Sequence, residues 1–222
     1  MELGRFLSGF GRQSNDDDVM PERVREEAEG ALDARPADRS RVPPGQWVTR
    51  GWPVLTYGST PRFDPARWDL RIVGLVENPL TWDYKTFIGL PTKKVLCDIH
   101  CVTTWSLLDN VFEGVPALDV AEQAKIRPEA THVIAHAEQG YTANLPLADL
   151  LRDDVLLAYK HNGENLTHDH GWPLRLMVPH LYFWKSPKWL RGLEFVDADA
   201  PGFWEQRGYH MRGDPWAEER YG

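Results

Sequence analysis

Two cysteines stand four residues apart, Cys97 and Cys101, with His100 between them. Thiolates suit soft metals, and Cys97, His100 and Cys101 make a zinc set on paper. A structural zinc site needs a second ligand pair at a set spacing, and none follows. Period-two alternation over residues 95–102 also sends His100 to the face opposite both cysteines. On an extended strand the two cysteines lie about 13 Å apart, too far for a disulfide. Cys97 therefore reads as a small buried hydrophobe. Cys101 stands where the alternation breaks into Thr103-Thr104-Trp105-Ser106. It belongs either to the core or to a strand end that opens into a pocket.

A second group is cationic. His170 lies in Asp169-His170-Gly171-Trp172-Pro173, Arg175 follows, and Lys185, Lys188 and Arg191 sit in a Trp-rich run. Arg offers a fork of donors and Lys a point charge, so the cluster reads as an anion pocket or as a solvated basic edge. The familiar alternatives are missing. No P-loop, G-x-G-x-x-G, H-E-x-x-H or G-x-S-x-G occurs, which removes the usual nucleotide, zinc-protease and serine-hydrolase readings.

These groups must be positioned by mixed elements. Residues 70–76, 95–102, 132–137, 155–160, 174–178 and 190–196 read as strands. Residues 81–87, 115–125 and 147–151 read as short helical stretches, and Asn162-Gly163 as a tight turn. Regular βαβ alternation is absent, which gives an α+β, mostly-β class. Met1 to Pro44 reads as a flexible charged arm, and residues 45–222 as one domain, a size that can bury a sizeable core. Twenty-five basic residues against 33 acidic give a net charge of −8, which argues against a nucleic-acid partner. No apolar run is long enough for a membrane helix, and the N-terminus lacks a signal peptide, so a cytoplasmic location is expected. Two cysteines exclude a disulfide scaffold, and with no C-x-x-C-H no haem is expected.

The run Ile99-His100-Cys101-Val102-Thr103-Thr104-Trp105-Ser106 resembles the metal-cysteine segment of the sulfite oxidase family of molybdenum enzymes. A second run resembles that family's molybdopterin-binding segment. It extends from Asp154 through Asn162-Gly163 and Asp169-His170-Gly171-Trp172-Pro173-Leu174-Arg175 to Lys188-Trp189-Leu190. With residues 68–79, the likeness covers about residues 47–209, and the whole resembles the short bacterial sulfite oxidase-like branch. It implies a mixed, mostly-β molybdopterin-binding fold with a molybdenum–molybdopterin cofactor.

The resemblance also implies roles. Cys101 matches the thiolate ligand of molybdenum. His170, Arg175 and the Ser186-Pro187-Lys188 turn match positions that hold the pterin and its phosphate. Arg50, Gly51 and Trp52 match an early loop that wraps the cofactor, and His136 falls at a further pterin contact; Trp52 and His136 equally suit plain packing. Tyr209 falls at the active-site tyrosine. One departure bears on substrate. Sulfite oxidases carry an arginine five residues after the metal cysteine, whereas this chain has Ser106, as in the branch of the methionine-sulfoxide reductase catalytic subunit. The implied activity is oxygen-atom transfer at a small sulfur- or nitrogen-containing substrate, with electrons from a separate protein. A cofactor carrier without turnover is the competing reading.

Overall fold

The computed structural model describes residues 39–222. Most of the expected N-terminal arm, residues 1–38, lies outside the described residues. Residues 39–44, the remainder of that arm, are already anchored. The Arg41 guanidinium pairs with Asp98 and Asp109 at 2.5 Å each.

Eleven strands form two sheets among the described residues. In the first, β1 (Trp47–Val48), β5 (Trp105–Pro116), β8 (Leu156–His161) and β10 (Arg175–Met177) run in that spatial order. There β4 (Lys93–His100) also pairs with β5, and β9 (Glu164–Asn165) with β8. The second sheet has the order β3 (Leu80–Asp83), β2 (Asp69–Gly74), β11 (Leu190–Val196), β6 (His132–Ala137) and β7 (Thr142–Pro146). Three short helices connect strands: α1 (Tyr84–Ile88), α2 (Ala117–Ala124) and α3 (Leu147–Leu150). Helix α1 starts where it does because the Asp83 carboxylate accepts from the Thr86 amide at 2.7 Å, an N-cap.

In the first sheet β10 and the first half of β8 are buried on both faces, and side-chain alternation divides their residues between two cores. Leu157 and Leu176 join a large core with Leu70, Ile72, Val133, Leu193 and Phe195 of the second sheet. Their neighbours Leu156, Ala158 and Met177 point the other way, toward Trp52, Ile99, Cys101, Trp105 and Phe112. The second core is the floor of the site described next. Strands β6 and β11 coincide with the expected spans. The expected helical stretch at 81–87 divides into the end of β3 and α1.

Candidate active site

Cys101 lies just beyond β4, at the mouth of the β4–β5 hairpin. Its carbonyl accepts from the Thr104 amide at 2.9 Å, and its own amide donates to the Trp105 carbonyl at 2.8 Å. Thr104 closes this turn at φ 76°, a left-handed conformation that a β-branched residue adopts only under constraint. The Thr103 hydroxyl donates to the Cys101 sulfur at 3.1 Å. Burial pushes the Cys101 thiol up, offset in part by that hydroxyl and by the Arg220 charge. Expected face-to-face alternation fails at one point: β4 carries a bulge between Cys97 and Ile99. The zinc set is not assembled. His100 is buried and its Nδ1 lies 2.8 Å from the Ser106 hydroxyl. Among the described residues no cluster of three or more His, Cys, Asp or Glu side chains is arranged for a metal.

Cys101 opens into a cavity of about 520 Å³. Eight of the expected residues line it: Trp52, Cys101, His170, Arg175, Ser186, Pro187, Lys188 and Tyr209. Arg175, on β10, is 2 % exposed. It donates to the carbonyls of His170 at 2.8 Å and Ser186 at 2.7 Å, and lies 4.2 Å from the Phe183 ring centre and 5.2 Å from that of Trp52. Its Nε has no partner, and it makes no ion pair with a carboxylate among the described residues. Burial pulls its pKa down to about 9. Lys188 donates to the Thr56 hydroxyl at 2.5 Å and the Asp169 carbonyl at 2.7 Å. Burial, and then Arg175, lower its pKa to about 7. Gly171 lets these cations converge. At φ 113° it occupies a region that side chains avoid, and a Cβ there would sit 3.1 Å from the Cβ atoms of both Arg175 and Lys188.

His170 stacks on Trp52 with ring centres 4.0 Å apart and planes at 20°. Its Nδ1 meets the Thr167 hydroxyl at 2.8 Å, and burial with the Arg175 charge keeps its pKa near about 4. The ring is therefore neutral at physiological pH. Ser186 serves the backbone: its hydroxyl accepts from the Val178 amide at 2.9 Å. Tyr209 packs against Trp184 and Trp204, at 5.1 and 5.0 Å between ring centres. Burial and Tyr221 raise its phenol to about 12.

Three expected residues are not brought to the wall. Arg50 is exposed and Gly51 half-buried, and neither lines the cavity. His136 is on the outer face of β6, where its Nε2 lies 2.8 Å from a Glu194 carboxylate oxygen. Side chains that sequence reasoning missed complete the wall, notably Tyr141, Phe183 and Trp204. Tyr141 donates to the Trp184 carbonyl at 2.9 Å and stacks on Phe203. A lone Tyr after Gly140 carries no local sequence signal for such a place.

The residues fit a flat, anionic, sulfur-ligated group. Arg175 Nε and Trp105 Nε1 are buried donors without partners. A buried guanidinium with no counter-ion is costly unless an anion joins it. Aromatic walls suit a planar ring, and a cation held at the Cys101 sulfur would reverse the desolvation cost of its thiolate.

Comparison with known proteins defines the class. Residues 57–204 match the oxidoreductase molybdopterin binding domain, and the chain belongs to that family. It is a molybdopterin-dependent oxidoreductase, with molybdenum–molybdopterin as its cofactor. Among individual proteins, it is 53 % identical over 189 residues to the uncharacterized oxidoreductase YuiH of Bacillus subtilis, covering 84 % of this chain and 96 % of that one. It is 28 % identical to the protein-methionine-sulfoxide reductase catalytic subunit MsrP of Gluconobacter oxydans, covering 69 % of this chain and 56 % of MsrP. It is 29 % identical to Arabidopsis thaliana sulfite oxidase, covering 70 % of this chain and 49 % of that enzyme. The fold matches the solved sulfane dehydrogenase SoxCD of Paracoccus pantotrophus with a TM-score of 0.64 at 19 % identity, over 97 % of this chain and 59 % of that one. No helix among the described residues is long and apolar enough to cross a membrane.

Proposed function

We propose that the protein transfers an oxygen atom to or from a small sulfur- or nitrogen-containing substrate. In this reading Cys101 ligates molybdenum, a separate protein exchanges the electrons, and the enzyme works in the cytoplasm. The observation that carries it is the sharing of one aromatic-walled cavity by Cys101, Tyr209 and the uncompensated Arg175. When bound, the cofactor supplies two-electron oxygen-atom transfer. Arg175 and Lys188 bind its anionic portion, with charge-assisted hydrogen bonds replacing the missing counter-ion. Trp52, held by its stack on His170, and Trp105 orient a flat ring and exclude water. Tyr209, protonated throughout the neutral range, donates a hydrogen bond to the oxygen under transfer.

The cations lining the described cavity are Arg175 and Lys188, both committed to the cofactor-binding part. Ser106, at the position of the sulfite oxidase arginine, is fully buried and bonded to His100. This supports a sulfoxide or N-oxide ahead of sulfite. The test is metal and pterin analysis of protein made in a host that builds the cofactor, followed by a screen of sulfite, sulfoxides and N-oxides with a dye as electron donor or acceptor. About one molybdenum per chain is expected, lost in Cys101→Ser. Metal retained by Cys101→Ser would remove the ligand assignment, and bound cofactor that never turned over would favour a carrier.

A further inference from the structure

The family match ends at residue 204, yet the segment beyond it reaches back to the Cys101 turn. Residues 208–210 and 220–222 close on each other. The His210 amide donates to the Arg220 carbonyl and the Gly222 amide to the Gly208 carbonyl, each at 3.2 Å, and Tyr209 bridges to Tyr221. The two tyrosine rings lie 5.4 Å apart. From this closure the Arg220 side chain crosses to the other wall of the site. Its Nη1 donates to the Val102 carbonyl at 2.6 Å and its Nη2 to the Pro44 carbonyl at 3.5 Å. The guanidinium lies 5.0 Å from the Tyr182 ring centre.

Val102 is the second residue of the Cys101–Thr104 turn. The turn's other carbonyls are held from nearby in the fold: Cys101 by Thr104 and by the Gln46 side chain, Thr103 by the Thr104 hydroxyl, Thr104 by the Trp47 amide. The Val102 carbonyl is held by a side chain from the segment that carries Tyr209. A residue that bonds one half of a site while its backbone pairs with the other sets the distance between them.

We propose that Arg220 is a positioning residue that locks the Cys101 turn to the Tyr209 segment and so sets the separation of thiolate and phenol. The proposal rests on the roles given above to Cys101 and Tyr209. Arg220 does not line the cavity and touches no reacting group; beyond the effect of its charge on the Cys101 thiol, it acts through its hydrogen bond to the backbone of Val102. Displacement of a reacting group by about 1 Å can lower turnover as much as a hundredfold.

The experiment compares holoenzyme of R220M, R220K and R220Q with the parent, using dye-linked kcat and KM, molybdenum content, and hydrogen exchange of peptides across the chain, including that spanning 101–106. R220M keeps the stem against Tyr182 but donates nothing. It is expected to lose roughly ten- to a hundredfold in kcat, with KM within about twofold, parental molybdenum content and faster exchange confined to 101–106. R220K, which restores a charged donor, is expected to recover kcat to within about threefold. A loss of fold, seen as faster exchange throughout the chain, would appear as a fall in molybdenum content as well. If R220M is insoluble, R220K against R220Q decides, with the shorter neutral donor expected to be the poorer. Parental kcat in R220M, failure of R220K to rescue, or R220Q equal to R220K would overturn the proposal. If Cys101→Ser keeps its metal, the ligand assignment fails, whereas localised exchange in R220M would still report the lock.

Discussion

The side chains lining the cavity form two sets with opposite electrostatic plans. One holds Arg175, Lys188 and His170, two basic side chains and an imidazole drained of charge by burial. The other, Cys101 and Tyr209 with Trp184, Trp204 and Trp105, includes no lining cation. Buried like charges are destabilising, and an anion beside the first set would relieve them. In the proposed function the first set is the binding end of the site and the second, where charge develops only as the reaction requires it, is the reacting end. The two sets should then come apart under mutation.

The largest effect on turnover is expected at the reacting end. Tyr209→Phe removes a single donor and should lower kcat about a hundredfold or more, while leaving bound molybdenum and pterin at parental amounts. Unchanged turnover would remove the catalytic role and leave the cofactor site standing. Arg175→Met is the converse. It strips the buried charge from the binding end and should weaken cofactor binding by about 2–5 kcal/mol, a thirtyfold or greater loss of affinity. Pterin analysis after gel filtration reads this directly. Cofactor retained in Arg175→Met would break the division of labour between the two ends.

A smaller effect separates the ends by pH. Lys188 titrates near about 7 in the empty protein because burial and Arg175 disfavour its charge. An anion beside it favours the protonated form, so cofactor binding takes up a proton where Lys188 is otherwise neutral. The Lys188 contribution to affinity, read as the ratio of parent to Lys188→Met, should therefore be flat below about pH 7 and fall above it, by at most about tenfold per pH unit. Loss of the thiol proton when Cys101 ligates the metal drives affinity the opposite way, but parent and variant share that step and it cancels in the ratio. Tyr209 adds no step, since it stays protonated to about 12.

Much of this was legible in the residues. Two motif runs carried Cys101, His170, Arg175 and the Ser186-Pro187-Lys188 turn, all of which line the cavity, because the residues of each run lie close together in sequence. Alternation carried β6 and β11 to their ends. It failed for β5, whose twelve residues from Trp105 to Pro116 mix Ser, Asp, Asn and Glu with apolar residues. That strand is central, paired with β4 over most of its length and with β1 and β8 at its two ends, with Asn110 bonded to the Leu107 carbonyl at 2.8 Å and facing His161 at 2.9 Å. Its polar residues are satisfied by tertiary partners that no local window contains. Tyr141, Phe183 and Trp204 were hidden for the same reason: an aromatic reads as core until the cavity beside it is known. The Arg220 contact, 118 residues from Val102, lies further still beyond any pattern.

His136 gives the smallest effect and the sharpest check on how the wall is drawn. A family likeness alone groups it with the pterin contacts; the strand that carries it does not. Val133 and Ala135 of β6 are fully buried, so alternation turns His136 to the opposite face, where it shares an exposed contact with Glu194. Exposed ion pairs contribute about 0–1 kcal/mol. His136→Ala should then shift unfolding free energy by less than about 1 kcal/mol, and leave pterin content, kcat and KM unaltered. Loss of cofactor in this variant would mean that the binding end extends around the edge of the second sheet. In that case the contrast between a charged binding end and a neutral reacting end would have to be redrawn with a third, solvent-facing group.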